Sequence, residues 1–300
     1  MTFRRTIPVA ILAIVLAGCT GSAPSAGATG SPPPADGPSP SAAPSPAPST
    51  GSATLLLKVT SEGGFINPAA NLAALPSVAV YADGRILTPG PVDAIYPGPL
   101  MPPVTVRDVG SRGAAAILAA IRDAGLDKPA SGGPGIPGDS GTNVFTVVVD
   151  GATITSRFAG GQAGQPGGPV PSAGDERAAA MALLDRLFDP AETWGGPAAQ
   201  ETAYLPTGYL VFVAPGGPAS DPQASQSPVA WPLATPLADF GAPAAADRGI
   251  AGLRQGTLLG ADAAVVGPIL QRATTLTAFT SGGSAFTLSA RPLFPDEIGG

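Results

Sequence analysis

The stretch from Thr20 to Ser52 restricts most strongly what this chain can fold into. It consists almost entirely of Gly, Ser, Ala, Thr and Pro, and Asp36 is its single charged residue. Such a segment has no large apolar side chains whose burial could offset the entropy lost on ordering, so it is predicted to be a disordered linker. As a flexible coil it would span about 30 Å, and as an extended polyproline-like chain about 100 Å. Folding is therefore expected within residues 53–300.

The residues before this linker are typical of an export signal. A basic pair, Arg4 and Arg5, precedes an apolar run from Ile7 to Leu16. The run has about ten residues, whereas a membrane-spanning helix needs roughly 20. We therefore interpret residues 1–18 as a signal peptide.

The end of that run resembles the bacterial lipobox, in which small residues precede a cysteine that accepts diacylglycerol. The four residues concerned are Leu16, Ala17, Gly18 and Cys19. The first three would be recognised by the lipoprotein signal peptidase, and Cys19 would carry two or three acyl chains, which suffice for stable anchoring. The resemblance implies a lipoprotein on the extracytoplasmic face of the cell membrane, with residues 19–52 as its lipidated tether. If the cell has two membranes, the choice of leaflet stays open.

Residues 53–300 suffice for one extracytoplasmic domain or for two intimately packed parts, about 53–190 and 200–300, by a prior of roughly 100 to 200 residues per domain. Without the signal peptide, 13 basic residues face 21 acidic ones, a formal net charge of −8. This charge, and the lack of any cluster of Lys or Arg, argues against binding to nucleic acid or to anionic lipid. The expected partners are the membrane, through the lipid on Cys19, and an envelope protein or glycan.

Two residue types that carry much of enzyme chemistry are missing from the mature domain. There is no histidine, and Cys19 is the one cysteine, so Ser-His-Asp triads, Cys-His dyads, histidine metal sites and disulfides are excluded. We expect no metal and no other cofactor. Lys58 and Lys128 are the two lysines, and both are predicted to lie at a strand edge or on the surface.

Strands are predicted where β-branched and aromatic residues cluster or alternate. Asp83–Gly84 and Asp150–Gly151 are turn signals of two hairpins, and Ser281–Gly283 is that of a third. The proline-rich stretch from Pro89 to Pro103 must form a loop. The predicted strands are Thr54–Thr60, Val78–Tyr81, Arg85–Thr88, Val104–Val109, Val144–Val149, Ala152–Phe158, Tyr209–Val213, Thr275–Thr280 and Ala285–Arg291.

Apolar residues recur at helical spacing in three places. The predicted helices run from Ser111 to a cap at Gly125 and Leu126, from about Asp175 to Phe188, and from Ala261 to Ala273. In the third, Gly267–Pro268 should either kink the helix or mark its start. The apolar face of the second is predicted to be Met181, Leu184, Leu187 and Phe188. The expected fold class is thus α+β, with mostly antiparallel strands and hairpins and about three helices.

Candidate catalytic or metal-binding residues are few. Asp83 and Asp150 fit tight turns better than a metal site, because each is followed by glycine. The glycine-rich stretch from Gly132 to Gly141 lacks the strand and the lysine of a phosphate-binding loop. Asp296 and Glu297 could form a glycosidase-like carboxylate pair, but adjacent side chains that point apart favour solvated charge instead.

Aromatic residues of the middle third provide the one candidate binding surface. Exposed rings stack on a sugar or on a partner's side chains, although burial in a core is the commoner use of such residues. The residues concerned are Trp194, Tyr204, Tyr209 and Trp231.

Several motifs together resemble a family of uncharacterised exported proteins of high-GC bacteria. The resemblance covers most of residues 54–297 and implies an exported protein, without an activity or site residues. Relatives often carry cysteines near the C-terminal part, which this chain lacks, so no disulfide carries over. The motifs are Glu62-Gly63-Gly64-Phe65, Tyr81-Ala82-Asp83-Gly84-Arg85, Ala124-Gly125-Leu126 and Arg291-Pro292-Leu293-Phe294-Pro295-Asp296-Glu297.

The segment from Ser61 to Phe65 also resembles the Ser-Gly-Gly-Phe segment of emfourin-type metalloprotease inhibitors, which would imply inhibition through Phe65. The residues as a whole favour a non-enzymatic binding or scaffolding domain of unknown ligand. Two alternatives stay open: a carboxylate-based enzyme acting on envelope polysaccharide, which needs no histidine, and a protease-inhibitor-like module.

Replacing Cys19 tests the anchoring interpretation. In Cys19→Ala no thiol accepts diacylglycerol, so the precursor should stay unlipidated and uncleaved by the lipoprotein signal peptidase. Metabolic labelling with a fatty acid should mark the unaltered chain and a Thr20→Ala control, and should leave Cys19→Ala unlabelled. Label on Cys19→Ala would contradict the assignment.

Overall fold

The computed structural model describes most of the chain beyond the predicted linker. It covers residues 53–63, 71–129, 141–159, 176–196, 200–218, 221, 224, 226–245 and 248–298. Within these residues, strands form two sheets, nearly all of their pairs are antiparallel, and three α-helices accompany them. The predicted α+β class is confirmed.

The first sheet has seven strands. They are β1 (Leu55–Glu62), β2 (Val78–Tyr81), β3 (Arg85–Pro89), β4 (Val104–Asp108), β5 (Thr142–Val149), β6 (Ala152–Ala159) and β7 (Thr202–Ala203). Their order is β6-β5-β1-β2-β3-β4-β7, so β1 is an interior strand, and every neighbouring pair is antiparallel. The strand β1 therefore has a hydrogen-bonded neighbour on each side, and its residue Lys58 does not lie at an edge of the sheet.

Two helices, α1 (Gly110–Asp123) and α2 (Glu176–Phe188), cover one face of this sheet and share its main apolar core. The helix α1 contributes Ile117 and Ile121, which are fully buried. It ends as the sequence predicted: Gly125 has a φ of 73°, and the Leu126 N–H donates to the Ile121 carbonyl at 3.1 Å. This is the hydrogen bond of a Schellman cap.

The buried stripe of α2 differs from the prediction. It consists of Ala180, Leu183, Leu184 and Leu187, whereas Phe188 is 37% exposed. The end of the helix is occupied instead by Arg107 of β4, whose buried guanidinium donates to the carbonyls of Leu187 and Asp189. A cation at this position satisfies carbonyls that a helix end leaves unpaired.

The second sheet has six strands and one helix. The strands are β8 (Gly208–Pro215), β9 (Val229–Ala230), β10 (Ala242–Pro243), β11 (Arg254–Leu259), β12 (Ala278–Ser281) and β13 (Ser284–Pro292), and the helix is α3 (Gly260–Arg272). The order is β10-β11-β8-β13-β12-β9, and the β9–β12 pair is parallel. The helix α3 packs on this sheet through Ala263, Val266 and Leu270, around a core that includes Trp231 and Phe279.

Pro268 lies inside α3, which runs without a break from Gly260 to Arg272. Pro268 therefore does not mark the start of the helix. Its neighbour Gly267 faces β8, where a Cβ atom would lie 2.4 Å from the Tyr209 hydroxyl oxygen. The Gly-Pro pair thus allows close packing between helix and strand, and the tertiary contact outweighs the hydrogen bond that proline removes.

The two sheets are joined by the segment that follows β13. Phe294 is fully buried against Tyr81 and Leu87 of the first sheet, on the face opposite to α1 and α2. The Tyr204 ring meets Phe294 edge-on at a centroid distance of 6.2 Å, and its hydroxyl donates to the Leu293 carbonyl at 2.9 Å. The end of the second sheet is therefore fixed to the first.

Both predicted Asp-Gly turns are present, with different surroundings. Asp150 and Gly151 form a two-residue turn with φ values of 51° and 79°, and a Cβ on Gly151 would meet open space. Gly84 has a φ of 99°, and a Cβ there would lie 2.5 Å from the backbone of Gly110 at the start of α1. One turn is exposed, and the other packs against a helix.

This contrast predicts unequal costs for one substitution. Gly151→Ala should lower the free energy of unfolding by about 1 kcal/mol, the cost of a left-handed conformation for a residue with a Cβ. Gly84→Ala should lower it by a further ~1–3 kcal/mol, because the methyl group displaces the helix backbone. Urea unfolding followed by circular dichroism measures both. Equal losses would contradict the packing of Gly84 on Gly110.

Candidate functional site

A loop of residues 90–103 connects β3 to β4 and crosses from the first sheet to the second. Its Leu100 side chain is buried in the core of the second sheet, and the Leu100 N–H donates to the Ala273 carbonyl at 2.9 Å. The Thr275 N–H donates to the Gly98 carbonyl, also at 2.9 Å. We call residues 90–103 the bridging loop. Since its ends continue into β3 and β4 and Leu100 is fixed in the second sheet, the loop forms a wall with a groove on either side.

The first groove has a volume of about 610 Å³. It lies between the bridging loop, the segment of Tyr204 and Leu205, and the end of α3 near Gln271. Seven of its nineteen lining residues are prolines, which have no N–H to donate. The charged side chains among these described lining residues are Asp93 and Arg272.

The second groove has a volume of about 690 Å³ and lies on the other side of the bridging loop. Its walls include Leu75 ahead of β2 and three consecutive residues of β13, Thr287 to Ser289. None of its described lining residues is charged, and their polar side-chain groups are the hydroxyls of threonine and serine. Both grooves are therefore apolar clefts with few hydrogen-bonding groups.

Three large side chains of the bridging loop are exposed, and two of them, Val92 and Ile95, line a groove. Val92, which lines both grooves, is 57% exposed, and Ile95 and Tyr96 are 64% and 71% exposed. The Tyr96 hydroxyl donates to an Asp221 carboxylate oxygen at 2.9 Å, and this hydrogen bond raises the pKa of Tyr96. The bridging loop thus presents exposed apolar side chains next to the clefts.

A second cluster of polar residues lies at the junction of the sheets. The Lys58 ammonium pairs with the Asp296 carboxylate and lies 3.5 Å from Glu297 Oε1. The Tyr81 hydroxyl donates to Asp296 Oδ1 at 2.6 Å, and Arg291 donates twice to Glu297, at 2.7 and 3.0 Å. We call these five residues the junction cluster. Each carboxylate has a cationic partner, and neither lines either groove.

Burial and pairing act against each other in the junction cluster. Burial raises the pKa of Glu297, but the Arg291 guanidinium, the Phe294 N–H and Lys58 outweigh it, so the pKa is lowered overall. Burial first, and the hydrogen bond to Asp296 second, raise the pKa of Tyr81 far above its usual value. Burial also raises the pKa of Tyr204, to about 12. The carboxylate of Glu297 therefore stays charged and the tyrosines stay protonated at neutral pH.

Two sequence-based interpretations of this cluster are wrong. Lys58 lies on an interior strand with 15% of its side chain exposed, and not at an edge or on the surface. Asp296 and Glu297 are not solvated, since only 18% and 21% of their side chains are exposed. They do not point apart either, because both belong to a short 3₁₀ helix, Pro295–Glu297, and both lie near Lys58. One signal in the sequence could have indicated this cluster: Lys58 interrupts the apolar run from Leu55 to Val59.

Motifs that carried the family resemblance meet in this cluster. Tyr81 and Arg85 belong to one of them, and the residues from Arg291 to Glu297 to another; the Arg85 guanidinium lies over the Tyr81 ring, 5.6 Å from its centroid. Asp83 in turn accepts a hydrogen bond from Arg85 at 2.8 Å. The charged and tyrosine residues of these two motifs therefore contact one another.

The four aromatic residues proposed as a binding surface do not form one. All four are buried, with exposures between 3% and 8%. They also belong to three separate cores, because distant strands and loops enclose each ring. Trp194 lies with α1 and α2, Tyr204 with Phe294, and Tyr209 and Trp231 with α3. Of the four, Tyr204 alone is among the residues that line a groove.

Other candidate residues lie outside the described part of the chain. These are Leu16, Ala17, Gly18 and Cys19, together with Phe65 and residues 132–140 of the glycine-rich stretch. The lipobox and inhibitor interpretations consequently stay predictions.

Searches of the described residues and comparisons with other proteins add three findings. No described helix is long and apolar enough to cross a membrane. Among the same residues, no three Asp, Glu, His or Cys side chains gather as a metal site requires. Comparison with protein-family models, curated proteins and solved structures finds no match for this chain.

The junction cluster predicts a difference between two ion pairs. Lys58→Met removes the cation of Asp296 and should lower the free energy of unfolding by about 1–3 kcal/mol, since a half-buried charge loses its partner. Arg157→Met removes an exposed pair, 3.6 Å from Glu62, and should cost at most about 1 kcal/mol.

Urea unfolding of both variants makes the comparison. The double variant Lys58→Met/Asp296→Leu should regain part of the loss, because no uncompensated charge remains. Equal effects of Lys58→Met and Arg157→Met would show that the junction cluster contributes no more than surface charge.

Proposed function

We propose that this chain is a membrane-anchored lipoprotein whose extracytoplasmic domain binds an extended, uncharged apolar ligand, such as a lipid acyl chain, in the grooves beside the bridging loop. The observation that carries the proposal is the pair of apolar clefts of about 610 and 690 Å³ that share Val92, Pro99 and Pro102. Small-molecule sites commonly have volumes of roughly 300–1,000 Å³ and mostly apolar walls.

The chemistry of the walls supports an apolar ligand. Prolines present ring carbons and no N–H groups, so a ligand rich in hydrogen-bonding groups, such as a glycan, would lose its water without finding partners. An acyl chain has no hydrogen-bonding groups that would lose water on entering the groove. The net charge of −8 after signal removal also disfavours an anionic head group close to the domain.

The predicted anchor supplies the setting for such a domain. A tether of residues 19–52 would keep the domain near the membrane surface while allowing it to turn, so the grooves could face lipid or another envelope component. A domain that only binds a ligand needs neither a histidine nor a thiol, and the sequence has no histidine and Cys19 as its one cysteine. The junction cluster gives no support to the polysaccharide-cleaving alternative, because Asp296 and Glu297 are bound to cations away from the grooves.

A pair of matched variants tests this proposal. Val92 is 57% exposed and lines both grooves, whereas Val265 is 51% exposed on α3 and lines neither. Val92→Asp places a charge where an apolar ligand would remove water, so binding of the neutral dye N-phenyl-1-naphthylamine should weaken at least roughly tenfold. Val265→Asp should bind the dye as the unaltered chain does.

Competition identifies the ligand class. A long-chain fatty alcohol should displace the dye, measured by the loss of its fluorescence, and an oligosaccharide or a hydrophilic peptide should not. Absence of dye binding to the unaltered chain, or equal weakening by Val92→Asp and Val265→Asp, would refute binding in these grooves.

A further inference from the structure

The edges of the two sheets are protected unequally. Among the described strands, three of the four edge strands, β7, β9 and β10, have two residues each, and β10 ends in Pro243. Short strands and prolines are the usual means of preventing edge-to-edge association. The fourth edge strand, β6, has eight residues. It is therefore the one described edge long enough to accept another strand.

The pairing of β6 with β5 shows which backbone groups point away from the sheet. The register is unbroken from Val149↔Ala152 to Thr142↔Ala159, with no bulge. A two-residue turn makes Val149 and Ala152 a hydrogen-bonded pair, so bonding alternates along the strand. The backbone groups of Thr153, Thr155 and Arg157 consequently point outward.

The side chains at these positions favour a second copy of the strand. Thr153, Thr155 and Arg157 are all exposed and lie on one face of the sheet. Two of them are β-branched threonines, which suit a strand and pair well with each other across strands. Arg157 is the one charge of β6, and its partner Glu62 lies on β1 of the same copy.

We propose that β6 pairs with β6 of a second copy in an antiparallel arrangement whose two-fold axis passes beside Thr155. Each Thr155 then lies opposite its symmetry mate, and each Thr153 lies opposite an Arg157. The two arginines are kept apart, and the three outward-facing residues of each copy exchange about six hydrogen bonds. The first sheets of both copies become one continuous sheet. The inference is independent of the ligand proposed above.

This register makes a position-specific prediction for crosslinking. Opposite residues of a hydrogen-bonded pair have Cα atoms about 5.5 Å apart, within the reach of a disulfide. Two copies of residue 153 would be separated by four residues along the strands, roughly 13 Å. Thr155→Cys in the full chain should therefore form a disulfide-linked dimer on mild oxidation, roughly tenfold more than Thr153→Cys.

The unaltered chain, treated in the same way, shows any dimer that arises from Cys19. Equal crosslinking at positions 153 and 155, no crosslinking at 155, or a crosslink from Thr155→Cys to a different protein would overturn the proposal. As a test without thiols, Thr155→Pro removes an outward N–H and should shift the sedimenting species of the detergent-solubilised full chain from dimer to monomer. Thr155→Ser should leave the dimer in place, and circular dichroism verifies that both variants fold. A monomeric unaltered chain at the highest concentration measured would also overturn it.

Discussion

The ammonium group of Lys58 lies on an interior strand of the first sheet, where it cannot reach bulk water freely, and its carboxylate partner Asp296 is 238 residues further along the chain. A half-buried cation of this kind must be paired, because desolvation without a partner costs several kcal/mol. The pairing brings the end of β13 back onto the first sheet and places Phe294 in its apolar core. Since β13 is also an interior strand of the second sheet, this ion pair joins the two sheets together with the contacts of Phe294 and Tyr204.

The grooves depend on the same junction. The bridging loop starts and ends on the first sheet, and its tip is buried in the core of the second through Leu100. Without a fixed relation between the sheets, the loop could not separate two clefts of defined volume. Charge and apolar surface are also separated in space: the ion pairs satisfy each other at the junction, and the grooves keep mostly proline, aliphatic and hydroxyl groups.

Local features were predicted well, because they depend on residues close in sequence. The Asp150–Gly151 turn, the Gly125 cap and the strands on either side of Gly282–Gly283 all follow from which residues tolerate a positive φ. The prediction of an aromatic binding surface was wrong. Trp194, Tyr204, Tyr209 and Trp231 all lie in the middle third of the chain but belong to three cores, because the segments that carry them pack against different elements. The grooves were missed because the walls of each come from four segments that are distant in sequence.

The sequence by itself determined the α+β class, the hairpins and the chemistry that histidine and thiol groups cannot supply here. These conclusions need only composition, periodicity and turn preferences, which act over a few residues. The tertiary structure alone decided that Lys58, Asp296 and Glu297 meet, that Pro268 is tolerated within α3, and that the proline-rich stretch forms the wall between two grooves. Each of these depends on the free energy of burying distant groups together, which no short stretch of sequence records.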